Sequence, residues 1–154
     1  MWTGQLLDIH TSPTAGCKME KLSSATLIAG AGIAGDRYQQ GTGKYSQIED
    51  IRDVTLIEIE TLEALRRDHN ICLAPEEHRR NLTVRDVPLN HLVGKRFWVG
   101  DVLLLGGRLN TPCRYLDLVT GKSVCDLLKH RSGLNCAIIA GGDIKLGDAV
   151  KLSG

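Results

Sequence analysis

Glycine cuts the second half of this chain into short apolar pieces, and that spacing limits what it can fold into. Gly94, Gly100, Gly106, Gly107, Gly141, Gly142 and Gly147 separate residues 96–99 (RFWV), 102–105 (VLLL), 135–140 (NCAIIA) and 149–152 (AVKL). Each piece is long enough for a strand and too short for a packed helix. Residues 5–9 (QLLDI), 24–29 (SATLIA), 53–57 (DVTLI) and 81–84 (NLTV) add strand candidates in the first half. One segment differs. Over residues 58–70, Ile59, Leu62 and Leu65 recur at helical spacing, with acids early and bases late to suit the helix dipole. Residues 115–120 and 123–130 predict two short helices, and the polar stretch 36–50 an exposed functional or mobile loop. Many short strands with glycine turns predict a mainly β (α+β) fold, a barrel or sandwich, rather than repeated βαβ units. No repeat or linker divides residues 1–154, which read as a single domain.

Composition sharpens this. Six aromatic residues (three Tyr, two Trp, one Phe) against 17 glycines require an aliphatic core. Lys and Arg number 19 against 18 Asp and Glu. That balance argues against a broad nucleic-acid or anionic-membrane surface and leaves room for a local basic pocket. No apolar run approaches transmembrane length. Cys17, Cys72, Cys113, Cys125 and Cys136 form no CxxC pair. His10, His69, His78, His91 and His130 form no HxH or HExxH, so a zinc site has little support. Unpatterned thiols with no signal peptide predict a cytoplasmic location.

Three motifs carry chemistry. Gly30-Ala31-Gly32-Ile33-Ala34-Gly35 is a literal GxGxxG after a strand candidate, but Gly41 and Gly43 would each weaken the helix that a dinucleotide site needs by about 1 kcal/mol. The alternative reading is an anion-binding loop with exposed backbone N–H groups. Gly121-Lys122-Ser123 resembles the end of a phosphate loop, but the required first glycine is Leu116. Thr111-Pro112-Cys113-Arg114 is the most informative: Pro112 bends the chain and Cys113 opens a helix beside Arg114, which favours the nucleophilic, metal-binding thiolate. The alternative is that Cys113 is a small buried hydrophobe; Cys136 and Cys125 read that way. Arg37, Lys44, Arg79, Arg80, Arg114 and Arg131 lie in predicted turns and would form an anion pocket if the fold gathers them.

In order along the chain, these segments resemble the MOSC domain, named for the C-terminal domain of molybdenum-cofactor sulfurase. The matching stretches begin with Gly32-Ile33-Ala34-Gly35-Asp36-Arg37-Tyr38, residues 54–58 and their helix, and Arg80-Asn81-Leu82. Gly94, Gly100-Asp101, Thr111-Pro112-Cys113 and Arg131-Ser132-Gly133-Leu134 follow, then Gly141-Gly142-Asp143-Ile144 and Gly147-Asp148. The set spans residues 4 to 152. The resemblance implies a β-barrel that binds the molybdenum cofactor (molybdopterin) or handles sulfur for it. In relatives such as the mitochondrial amidoxime-reducing component, a cysteine of this region ligates molybdenum, and the Pro-Cys cysteine maps onto Cys113. Some relatives carry a second cysteine three positions later, where this chain has Leu116.

By resemblance, Cys113 is the metal ligand and catalytic residue, or a persulfide carrier. Gly35, Asp36, Arg37, Arg79, Arg80, Asn81, Arg114 and Arg131 are the expected cofactor-binding set: Arg37, Arg79, Arg80 and Arg131 would grip the pterin phosphate, Asn81 would bond the pterin and Asp36 would orient an arginine. The implied reactions are reduction of N-hydroxylated compounds or sulfur transfer. The alternative is a non-catalytic cofactor-binding, delivery or protein-interaction module. The implied partners are the cofactor or a related small anion, and a molybdoenzyme, sulfur donor or electron-transfer protein, with no nucleic acid or membrane.

Overall fold

The computed structural model describes residues 1–14, 18–41 and 51–154. Cys17, Gly43, Lys44 and most of the polar loop at 36–50 lie outside those residues. In chain order the elements are β1 (Gly4–Thr11), β2 (Glu20–Leu22), β3 (Ser24–Ile28), β4 (Gly32–Ile33), β5 (Val54–Glu58), α1 (Ile59–His69) and β6 (Leu82–Arg85). They continue with β7 (Arg96–Val99), β8 (Val102–Leu109), α2 (Arg114–Thr120), β9 (Leu134–Ala140), β10 (Gly142–Lys145) and β11 (Ala149–Leu152). The fold is mainly β, with a barrel closed in the order β1-β6-β5-β9-β8-β7-β11 and β11 returning to β1. A small second sheet runs β10-β3-β4.

The barrel interior is aliphatic, as the composition requires. Leu6, Ile9, Val54, Leu56, Leu82, Val84, Val99, Val102, Leu104, Leu134, Ile138 and Val150 fill it with Phe97 and Cys136. β5 buries both faces. Val54 and Leu56 enter the barrel, while Ile57 joins Leu62, Leu65, Leu73, Leu116, Val124 and Leu128 in a second cluster outside it. That outer cluster fixes α1 and α2 against the wall. α1 ends at Asn70, whose left-handed φ of 55° stops the helix, with Arg66, Arg67 and His69 on its negative end.

The structure departs from the sequence reading in three places and bears out its argument against a dinucleotide site in a fourth. β5 and β6 pair in parallel, Leu56 opposite Leu82 and Ile57 opposite Thr83, with α1 as the crossover a parallel pair demands. A single βαβ unit is therefore built into the barrel wall. β8 continues past its apolar run through Gly106 and Gly107, where the pairing with β9 shifts register. A side chain on Gly106 would collide with the carbonyl oxygen of Leu92, so this glycine marks close backbone approach rather than a turn. The predicted helix at 123–130 shrinks to one 3-10 turn, Asp126–Leu128. The Gly30–Gly35 run turns from β3 into β4 and opens no helix, which removes the dinucleotide reading.

Gly133 enters β9 at φ 109°, with the Leu56 carbonyl oxygen where a Cβ would stand. Gly133→Ala is expected to destabilise the protein by about 3 kcal/mol, read as a lower urea midpoint at unchanged slope.

Candidate functional site

The site is assembled from the turn before β6. His78 is fully buried. Its Nδ1 accepts the Arg80 backbone N–H at 2.9 Å, so the neutral ring carries its proton on Nε2, 2.9 Å from Thr83 Oγ1. Arg79 between them takes a left-handed φ of 66°. Burial pushes the His78 pKa well below 6.5, helped by Arg80 and by His10, whose ring packs edge-on at 6.4 Å.

This turn aims Arg80 across the barrel end. Its Nε donates to Ser132 O (3.0 Å), Nη1 to His78 O (3.2 Å), and Nη2 to Asn110 Oδ1 (2.7 Å) and Ser132 Oγ (2.8 Å). All four acceptors are neutral, so the guanidinium is held without its charge being cancelled. Burial lowers the Arg80 pKa to about 10, opposed by the nearby Cys113. Arg80 therefore stays a cation at neutral pH.

Cys113 caps α2 in extended backbone conformation, and its side chain makes no cap bond. The buried Leu116, one turn on, anchors α2 in the outer cluster and so sets where the thiol stands. Half-buried Cys113 lines a cleft of about 370 Å³ with Arg37, Arg52, Arg79, Arg80 and Arg108. Tyr38, Tyr115, Asn110 and Asn135 complete much of its wall. The guanidinium carbons of Arg37 and Arg52 lie 4.8 and 5.3 Å from the centre of the Tyr38 ring. No carboxylate is among the described lining residues.

The predicted residues divide. Cys113, Arg37, Arg79 and Arg80 converge on the cleft. Asp36 and Arg37, expected in an exposed loop, are buried. Asp36 is a brace: Oδ1 accepts from Ser12 N (3.2 Å) and Arg37 Nη1 (3.3 Å), and Oδ2 from Tyr38 N (3.2 Å). Asn81 stands in the wall, its amide spent on Thr55 N, Thr55 Oγ1 and His10 O. Arg114 turns away from Cys113, its side chain 70% exposed, to Asp117 (3.3 Å) and Asp126 (3.2 Å). Arg80 lies close enough to Cys113 to feel its charge, and both line the cleft.

Arg131 donates Nε to Leu127 O at 2.8 Å and does not line the cleft. Gly35 sits outside it too. The N–H groups of its loop are used in the hairpin, Gly30 to Ile138 O, Ala31 to Ile28 O, Ala34 to Thr26 O and Gly35 to Gln39 Oε1. Lys122 of the GKS run binds Glu77 at 2.7 Å and Cys72 O, a strap and not a phosphate grip. Cys136 lies sealed in the barrel core, where burial pushes its thiol up.

With this geometry the comparisons can be read. The model for the MOSC domain matches residues 44–151. The chain belongs to the MOSC domain family. Among solved structures the fold is similar to YuaD from Bacillus subtilis, TM-score 0.81 at 18% identity, covering 99% of this chain and 98% of that one. It is also similar to YiiM from Escherichia coli, TM-score 0.73 at 17% identity, covering 100% of this chain and 70% of that one. YiiM from Geobacillus stearothermophilus gives TM-score 0.76 at 11% identity, covering 98% and 75%. A sequence comparison with curated proteins gives no match.

Sequence reasoning missed Arg52, Arg108, Tyr38, Tyr115, Asn110 and Asn135 in this MOSC cleft. Arg108 had a signal, a charge three residues past an apolar strand and just beyond a glycine pair. Among the described residues no helix is long and apolar enough to cross a membrane, and no cluster of three or more His, Cys, Asp or Glu suits a metal ion.

Two outcomes test the His78 turn. Since His78 and His10 have folded pKa values below 6.5, the unfolded chain binds more protons below that pH. Their contribution is complete above pH 6.5 and declines as the pH falls, by about 1.4 kcal/mol per unit for each group, measurable by denaturation at stepped pH. His78→Asn keeps an acceptor at the Nδ1 position and should retain sulfate affinity, while His78→Gln loses it, read by calorimetry on folded variants.

Proposed function

We propose that this MOSC cleft binds the molybdenum cofactor through its phosphate, and that Cys113 offers its thiolate to the metal or carries sulfur destined for it. The observation that carries this reading is one thiol and five arginines on a single cleft with no lining carboxylate among the described residues. A phosphate dianion suits paired guanidiniums, and a thiolate is a soft ligand apt for a heavy metal or for sulfane sulfur.

The residues fit the group in a specific way. Among the described residues Cys113 is the single soft donor lining the cleft, so the metal would arrive with its remaining ligands on the organic part of the cofactor. When bound, such a cofactor supplies a redox-active metal centre. The chain's own residues do the rest. Arg37 and Arg79 present charge from buried positions, and Arg80 holds its orientation through Ser132 and Asn110. Arg52 and Arg108 line the more open side, where a phosphate enters. Tyr38 offers a ring face for a flat heterocycle, pre-set by the cations around it. Asp36 keeps Arg37 in place from behind, the role the resemblance implied.

Metal analysis of protein purified from cells that make the cofactor tests this. Wild type should retain molybdenum and Cys113→Ala should retain at most about a tenth as much, with unchanged circular dichroism. Equal metal content in the two removes Cys113 from the ligand role. Arg114→Ala should match wild type, because that side chain points to Asp117 and Asp126.

A further inference from the structure

Three asparagine amides stand at this end of the barrel, and their donors are used unequally. Asn81 spends its amide on Thr55 and His10. Asn110 and Asn135 both line the cleft, and Arg80 orders them. A guanidinium only donates. Arg80 Nη2, 2.7 Å from Asn110, therefore requires the carbonyl oxygen of that amide to face it. Asn110 Nδ2 is then turned the other way and donates to Asn135 Oδ1 at 2.8 Å. Turning Asn110 over would set its NH2 against the Arg80 donor, and turning Asn135 over would set two NH2 groups against each other. Both amides are thus fixed by the charge at one end of the chain.

What is left over is Asn135 Nδ2. It donates to nothing among the described residues, although Asn135 is only 3% exposed. Its way out is the cleft, the opening that Asn135 lines. A buried donor with one outlet needs an acceptor there. We propose that Asn135 Nδ2 is the donor that reads a proton-free oxygen on the bound ligand, a carbonyl, and that the Arg80–Asn110 chain fixes it in that sense. The proposal rests on the phosphate-binding side of the function above and adds a second feature of the ligand: a flat phosphorylated molecule that also carries an oxo group.

The arrangement selects by mismatch as well as by attraction. Every bond in the chain runs in one direction, from Arg80 to Asn110 to Asn135, so each polarises the next and strengthens the last N–H as a donor. An amino or methylene group at that point of a ligand leaves the donor unpaired away from bulk water. The Tyr38 ring and the arginines line the same cleft, which gives the flat part and the phosphate their own places.

The test is calorimetry on the full chain with two flat phosphate monoesters of the same shape, acetylphenyl phosphate and isopropenylphenyl phosphate, each as its meta and para isomer. They differ only in a carbonyl oxygen replaced by a methylene carbon. Wild type should bind at least one acetyl isomer about tenfold more tightly than its isopropenyl counterpart. Asn135→Asp puts a carboxylate oxygen in place of the donor and should reverse that preference. Asn110→Asp is the sharper variant, because Asn135 itself is untouched. Its carboxylate still accepts from Arg80 but has no hydrogen for Asn135 Oδ1, so the Asn135 amide turns over and its oxygen faces the cleft. The same reversal is expected, and a packing role for Asn110 would not produce it. Equal affinity of wild type for both members of both pairs overturns the proposal, as does failure of all four to bind or an acetyl preference that survives in either folded variant. The wild-type comparison stands whether or not a variant folds. Molybdenum content separates the two readings. Metal held through Cys113 with no acetyl preference overturns this inference alone, and an acetyl preference with metal content independent of Cys113 overturns the cofactor reading alone.

Discussion

The carboxamide of Asn81 joins three strands of the barrel, and most of the site hangs from it. Its Oδ1 accepts both the backbone N–H and the hydroxyl of Thr55 on β5, and its Nδ2 donates to His10 O on β1, all while Asn81 leads into β6. A buried amide with donor and acceptor both satisfied is rigid, because any shift leaves an unpaired polar group away from water. β5 and β6 are the parallel pair, so no tight hairpin sets their register, and this side-chain lock lies beside their first paired residues. The residue before it is Arg80, and the residues before that are the His78 turn. Locking Asn81 thus fixes where the central arginine begins.

The electrostatic character of the cleft follows from what the buried cations are bonded to. Arginine in a protein interior usually faces a carboxylate, which holds it and neutralises it together. Arg80 faces two carbonyls, an amide and a hydroxyl. Those dipoles satisfy its N–H groups and leave its charge in place. Asp36 is the exception, braced against Arg37 from below the surface. The balanced charge of the whole chain gives no hint of this, since a net count carries no positions. Holding uncancelled charge in the folded state costs stability, and a bound dianion relieves that cost.

Legibility in the sequence differed between the barrel and the cleft. The strands were readable because alternation and glycine punctuation are local. β2, β4 and β10 were not, being short, polar or both, and they form only because neighbours offer edges to pair with. Thr111-Pro112-Cys113 was readable as a site because proline, a nucleophile and a helix start adjoin in the chain. The pairing of Cys113 with Arg114 failed for the same reason it was attractive. Sequence neighbours at a helix start point in different directions, and Arg114 found Asp117 and Asp126 within its own reach. Arg131 and the Gly30–Gly35 loop were likewise taken up by nearby backbone and side-chain oxygens. Arg52 had no local mark of function and Arg108 only its place after a glycine pair, and the fold brought them to the same opening.

By itself the sequence determined a mainly β fold with an aliphatic core, one genuine amphipathic helix, and Cys113 as the thiol to examine. These properties depend on residue type and on spacing within a few positions, which is the range over which backbone conformation is set. The tertiary structure alone decided that the barrel closes through a parallel β5–β6 seam, that the Asn81 amide is bonded to Thr55 and His10, and that Arg80 lines the cleft with Cys113 while Arg114 turns to Asp117 and Asp126. The reason is reach. A guanidinium bonds whichever oxygens lie within a few ångströms of it, and for Arg80 three of the four belong to residues 30 and 52 positions away.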